Sequence, residues 1–271
     1  VEDRARGDPT SRGKYWEISF MATKVTERKR KAFEGKIEGS DKVEIKITVA
    51  KKDEARAYET LEIERREAAR RSIYFFDTPD LAMNKAGIVL RARAIEDDDH
   101  DSVVKIRPVN PQEVDEKWRD TEGFKIEADA VGDKVVMSAS LKAKQKKNAI
   151  DKVADGKDNI SDLFSKSQKK FLDEFHDGPL ELDDLAVLGP VRTLRADIER
   201  AALAYELTAE YWTLPNDSHL LELSIKCPPE EAVVAREVFQ AFLAGHGLDP
   251  NGAQATKTNL ALKTLTEQIK T

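Results

Sequence analysis

The sequence predicts an α+β domain built on an antiparallel sheet. Three observations predict it. Segment after segment alternates apolar with polar residues at period two, the mark of strands with one greasy face. Most of the links between these segments are short, which favours hairpins over crossovers. Stretches of strong helix formers, rich in Ala, Glu, Lys and Arg, separate the groups of strands.

The elements follow in order. In KVEIKITV (42–49), Lys42, Glu44, Lys46 and Thr48 alternate with Val43, Ile45, Ile47 and Val49. Residues 50–72 lack Pro and Gly and predict a helix over about 52–70. SIYFFDTPDL (72–81) reads as an aromatic strand closed by a turn at Thr78-Pro79-Asp80. Gly87 precedes the strand IVLRARAI (88–95), and the acidic loop 96–101 leads to SVVKIRP (102–108). GFKIEADA (123–130) is a further strand. From about 133 to 177 lysines are dense, and Leu163, Phe164, Phe171, Leu172 and Phe175 have helical spacing. A helical insertion is expected there. Residues 190–200, 203–212 and 220–226 are three more strands, with NDSH (216–219) as a hairpin turn. Residues 229–269 are expected to be helical, broken at 245–252. The expected domain spans 38–271. Residues 1–37 are expected to form a disordered leader or non-native extension, with Met21 as an internal start.

Of the 271 residues, 40% are hydrophobic and 35% charged, so the surface or a cavity must hold many charges. The net charge of −6 argues against a general nucleic-acid binder. The single cysteine, Cys227, excludes an intrachain disulfide framework and a cysteine-based zinc site, and fits a reducing, cytoplasmic compartment. No run approaches the about 18 apolar residues of a membrane-spanning helix, and residues 1–20 lack the apolar core of a secretory signal. The four histidines fall in loops, turns and the insertion, and no Ser/His/Asp or Cys/His arrangement is evident.

The polar faces of the strands decide the chemistry. Arg91 and Arg93 are two apart on one strand, as are Lys105 and Arg107. Acids recur on other strands: Glu127 and Asp129; Asp197 and Glu199; Glu206 and Glu210; Glu222. Such faces either meet water or, if the sheet closes on itself, line a lumen. Like charges two apart on one face repel unless something anionic lies between them. A lumen of Lys and Arg asks for a polyanion, and carboxylates can hold a divalent cation against it. The expected ligand is rich in phosphate, with Mg²⁺ or Mn²⁺.

YFFDTPDLAMNKAGIVLRAR (74–93), followed by VVKIRP (103–108), resembles the CYTH domain of the triphosphate tunnel metalloenzymes. The resemblance covers roughly 40–265. It implies an antiparallel, roughly eight-stranded closed barrel with flanking helices, forming a tunnel open at both ends. Family members hydrolyse or bind inorganic triphosphate, thiamine triphosphate or ATP with divalent cations. Carried over by motif, the phosphate-binding residues are Lys46, Arg91, Arg93, Lys105 and Arg107, joined by Arg195 and Lys226. Glu44, Lys46 and Glu222 would be catalytic. Glu44 and Glu222 would hold the metal, with Glu127, Asp197, Glu206 or Glu210 contributing. Two positions depart from the pattern. Lys42 stands at the first glutamate of E-x-E-x-K, and Ser224 at an acidic position of the last strand.

The function so implied is metal-dependent hydrolysis of a triphosphate, inorganic triphosphate or short polyphosphate first. The alternatives are a non-catalytic polyphosphate- or nucleotide-binding module and class IV adenylate cyclase activity. The expected partner is a triphosphate-containing small molecule or polyphosphate, with neither nucleic acid nor membrane. A homodimer and a monomer both stay open.

Overall fold

A computed structural model describes residues 27–250 and 257–269. Residues 1–26, most of the expected leader, lie outside the described residues. The elements are α1 (27–37), β1 (Lys42–Thr48), α2 (Glu54–Thr60), β2 (Ala69–Asp77), α3 (Ala82–Lys85), β3 (Ile88–Ile95), β4 (His100–Ile106), β5 (Phe124–Val131) and β6 (Lys134–Gln145), followed by α4 (Ala149–Ala154), α5 (Lys166–Asp173), β7 (Ala186–Arg200), β8 (Leu203–Thr213), β9 (His219–Cys227), α6 (Ala232–Gly245) and α7 (Lys257–Ile269).

The strands close into a barrel in the order β1-β5-β6-β4-β3-β2-β7-β8-β9. The α+β closed barrel is as expected, but it has nine strands rather than eight. The extra strand is β6, in the stretch expected to be helical. It pairs with β5 and β4 along its length, inserting between them. A closed ring with an odd number of strands cannot alternate in direction throughout. The one parallel pair is β1–β5, and all other pairs are antiparallel. The helix expected over 52–70 is also shortened: α2 ends at Thr60, and β2 begins at Ala69.

The greasy faces of the strands point outward, under helices. Val43, Ile45 and Ile47 of β1 pack with Ala57 and Leu61 of the α2 region and with Ala235 and Phe239 of α6. Phe33 and Ile37 of α1 join this core, so residues 27–37 belong to the fold rather than to a disordered leader. On the other flank, Leu90, Val104, Ile126 and Leu141 pack under Ile150 and Val153 of α4 and Phe171 and Leu172 of α5. The buried Gln168 of α5 donates to the carbonyls of Ser102 and Leu141, tying the insertion to β4 and β6.

The charged faces therefore turn inward. At one end, the inward side chains become apolar: Ile73, Phe75, Val89, Val191, Trp212 and Leu220. There Ala261, Leu262 and Leu265 of α7 are buried against them. α7 occupies this end on the β2–β3–β7–β8–β9 side. Among the described residues, no helix is long and apolar enough to cross a membrane.

The D-T-P-D-L turn shapes the rim. Asp77, buried at the end of β2, accepts from the backbone N–H groups of Thr78, Met83 and Asn84, capping α3. Gly87 then enters β3 with φ +80°, where a Cβ would meet the Arg107 carbonyl oxygen at 2.5 Å. Only glycine lets the end of β4 lie so close. The motif is scaffolding that sets β3 against β4.

Candidate active site

The lumen is a cavity of about 430 Å³. Its wall carries ten Lys or Arg side chains and five carboxylates, in a chain whose net charge is −6. Lys46 comes from β1; Arg71 from β2; Arg91 and Arg93 from β3; Lys105 and Arg107 from the end of β4; Lys134 from β6; Arg195 from β7; Lys226 from β9; and Lys257 from α7. The carboxylates are Glu44, Glu127, Asp129, Glu210 and Glu222.

The geometry brings together nearly all the residues expected from sequence. Glu44, Lys46, Glu222, Arg91, Arg93, Lys105, Arg107, Arg195, Lys226 and Glu127 all line the cavity. Two do not. Glu206 is exposed on β8 and stands outside the lining, because its strand has already left the lumen there. Asp197 stands at the mouth, where Arg195 Nη2 approaches it at 2.7 Å. Lys42 is likewise exposed and does not line the cavity.

Sequence reasoning missed Arg71, Lys134 and Lys257, and left Asp129 without a role. Arg71 shares a face with Ile73 and Phe75, a signal masked by the helix-forming residues before it. Asp129 shares a face with Glu127, and its importance comes from its cross-strand neighbour. Lys257 reaches the site from a helix end, which no strand periodicity reveals.

Charges in the lumen are interleaved. Lys46 Nζ lies 2.7 Å from Glu44 Oε2 and 2.8 Å from Asp129 Oδ1, and Lys105 Nζ lies 3.1 Å from Asp129 Oδ2. Burial opposes ionisation of Asp129, but the Lys46 and Lys105 ammonium groups outweigh it and hold the carboxyl well below its usual range. Burial likewise works against Glu44, and Lys46 and Lys226 still bring it below its usual range. Glu210 follows the same pattern, with Lys257, Arg195 and Arg71 overcoming burial. Burial also disfavours the Lys46 ammonium, yet Asp129 and Glu44 raise it well above the ordinary lysine value.

Arg91 is different. Its Nε is buried with no hydrogen-bond partner. Burial, reinforced by the neighbouring Arg93, lowers the guanidinium to about 10. Arg93 has its own partner, a two-pronged contact in which Nε and Nη2 reach the Asp101 oxygens at 2.9 and 2.5 Å. Two adjacent guanidinium groups with a single carboxylate partner leave unfilled capacity for an anion.

Carboxylate pairs in the lumen would suit the divalent cation that the family resemblance implies. A small hard cation asks for one or two carboxylates, with water and phosphate oxygens completing its shell. Glu44 faces Asp129 across β1–β5, and Glu210 faces Glu222 across β8–β9. Each pair offers two carboxylates; among the described residues, no group of three or more candidate ligands converges. Glu44 and Glu222, the residues expected to hold the metal, are not cross-strand neighbours. Thr48, not Glu44, is opposite Glu222, which puts the two glutamates four residues, or roughly 13 Å, apart along the strands. Cys227 takes no part: it is buried outside the lumen, and burial pushes its thiol up to about 11.

No protein-family model matches the chain, and no curated protein matches it. Solved structures do. A "putative adenylate cyclase" from Bacillus halodurans superposes with a TM-score of 0.57 at 16% identity, over 81% of this chain and 98% of that one. A "putative adenylyl cyclase" from Hippeastrum, described as having a dominant triphosphatase activity, superposes with a TM-score of 0.56 at 16% identity, over 81% and 94%. At that identity the likeness establishes the fold. The chain has the closed-barrel fold of these structures, the architecture that the resemblance of its D-T-P-D-L and L-R-x-R segments implied.

Proposed function

We propose that the protein hydrolyses a triphosphate in its lumen with the help of Mg²⁺ or Mn²⁺, inorganic triphosphate or short polyphosphate being the substrate. One observation carries this reading. Ten basic side chains face five carboxylates in one cavity, and two arginines of the set, Arg71 and Arg91, have a buried Nε without a hydrogen-bond partner. A linear polyanion satisfies such a wall, and an isolated carboxylate or sugar does not. The triphosphatase activity described for the Hippeastrum protein supports the reading.

Phosphoryl transfer asks for positioning and charge neutralisation more than for covalent chemistry. Arg91 and Arg93 grip phosphate oxygens through their forked N–H groups, while Lys46 and Lys105 supply compact charge beside them. Glu44, ionised and beside Lys46, orients the attacking water. A divalent cation, when bound at a carboxylate pair, offsets charge on the leaving phosphates.

The test is phosphate release from inorganic triphosphate with Mg²⁺ and with Mn²⁺, beside an EDTA control. Metal-dependent release that Glu44→Gln abolishes is the expected result. A second reading, a non-catalytic polyphosphate-binding module, has one observation in its favour: each lumen carboxylate is already matched by an internal lysine. Calorimetric binding of triphosphate that is recovered intact would select that reading. Cyclase activity would show as cyclic AMP and pyrophosphate formed when ATP replaces inorganic triphosphate.

A further inference from the structure

Lys257, the first described residue of α7, places its ammonium where a small cation belongs. Nζ donates to Glu222 Oε1 at 2.6 Å and also to Glu210 Oε2. It stands 5.3 Å from the centre of the Trp212 ring. Glu210 and Glu222 are directly opposite in the β8–β9 register. At that spacing two carboxylates repel, unless a cation lies between them. The helix that delivers the ammonium is anchored separately, by Ala261, Leu262 and Leu265 in the barrel end. Lys257 is therefore held on a packed arm and is not a solvated surface lysine.

We propose that Lys257 is a tethered counter-ion that occupies the Glu210–Glu222 pair in the resting protein and yields it to a divalent cation only when a polyphosphate arrives to take up the ammonium. The proposal rests on the triphosphate reading of the lumen. Charge is conserved in the exchange: the cation replaces the ammonium between the carboxylates, and the ammonium moves to phosphate oxygens. Free cation must compete with Lys257, whereas a cation arriving with polyphosphate does not. The two ligands then favour each other's binding, by the same factor in both directions.

Terbium(III) is a suitable probe, because an indole close to the ion sensitises its emission and Trp212 is that indole. Without polyphosphate, Lys257→Met is expected to bind terbium about tenfold tighter than the unsubstituted protein, or more. Lys134→Met removes the same charge elsewhere in the lumen and is expected to change affinity less than about threefold. Adding Glu222→Gln to Lys257→Met should erase the gain. Equal affinities for Lys257→Met and the unsubstituted protein, or equal shifts for Lys257→Met and Lys134→Met, would overturn the proposal. Either result beside intact triphosphate hydrolysis would sink the counter-ion alone and leave the proposed activity standing.

Discussion

Glu44 and Asp129 stand directly opposite each other on β1 and β5, and both accept from the Lys46 ammonium, at 2.7 and 2.8 Å. The three groups form one buried ionic unit, extended by Lys105. Asp129 is held well below the ordinary aspartate value of 3.8, so its contribution to stability is present above 3.8 and is lost as pH falls through the lower native value. Lys46 is raised well above 10.5, so its contribution is present below 10.5 and is lost only as pH rises through the raised value. Removing one member leaves buried charge uncompensated, at a cost of about 3–5 kcal/mol. Asp129→Asn should therefore lower the melting temperature at neutral pH and flatten the acid limb of the stability curve. Calorimetry in a series of acidic buffers checks it; an acid limb parallel to that of the unsubstituted protein would refute it.

Arg91 predicts a trade between stability and binding. Its unpartnered Nε is a buried polar group left unsatisfied, which costs about 1–3 kcal/mol. Arg91→Met keeps the unbranched stem of the side chain, replaces the polar Nε with a methyl group and removes that cost. The melting temperature of the ligand-free protein should rise by about 2–4 °C per kcal/mol recovered. The further rise that triphosphate produces in the unsubstituted protein should vanish, since a ligand stabilises only through its affinity for the native state. A variant that is less stable without ligand, yet still stabilised by triphosphate, would show that Arg91 serves the fold instead.

Lys42 departs from the acidic signature on β1, yet its position limits its effect. It is exposed, lies outside the cavity lining and is opposite Glu127 in the strand register. An exposed charge outside the cavity is worth about 0.2–1 kcal/mol, a few-fold in rate. Lys42→Glu should thus leave phosphate release within about fivefold of its starting value, whereas Glu44→Gln should abolish it. A large gain on Lys42→Glu would show that the mouth of the barrel holds part of the site.

The alternation of charge along the strands made the lumen legible. Lys46, Arg91, Arg93, Lys105 and Glu222 declare themselves because a period of two assigns every second residue to one face. What stayed hidden was decided by tertiary pairing. Lys134–Gln145 contains Ser, Ala and three lysines flanking a few apolar residues, and local propensity favours a helix. Hydrogen bonding to β5 and β4 on both sides makes it a strand. Once β6 is inserted, the odd count forces the parallel β1–β5 pair, and that pair brings Asp129 opposite Glu44. The same override shortened α2, because Arg71, Ile73 and Phe75 are claimed by β3 and β7.

Residues 27–37 carry the last prediction. The stretch reads as charged and dispensable, because Arg, Lys and Glu outnumber its apolar residues. Phe33 and Ile37, however, are one helical turn apart and share a face. Both are buried in the core beneath β1 and α6, and the Arg236 guanidinium lies 5.1 Å from the centre of the Phe33 ring. Arg236 in turn binds Asp133 at 2.7 Å, and Lys36 donates to the Asp133 carbonyl at 3.1 Å, fastening α1 to the β5–β6 turn. Truncating a buried phenylalanine costs about 3–5 kcal/mol, from lost burial and the cavity left behind. Phe33→Ala should lower the urea unfolding free energy by that amount. Glu34→Ala, on the exposed face, should change it by less than about 0.5 kcal/mol. Since α1 packs on the outer face of β1, the loss should also loosen the strand that carries Glu44 and Lys46, raising the triphosphate concentration needed for half-saturation. Equal stabilities for Phe33→Ala and Glu34→Ala would mean that α1 is an ornament of the barrel rather than part of its wall.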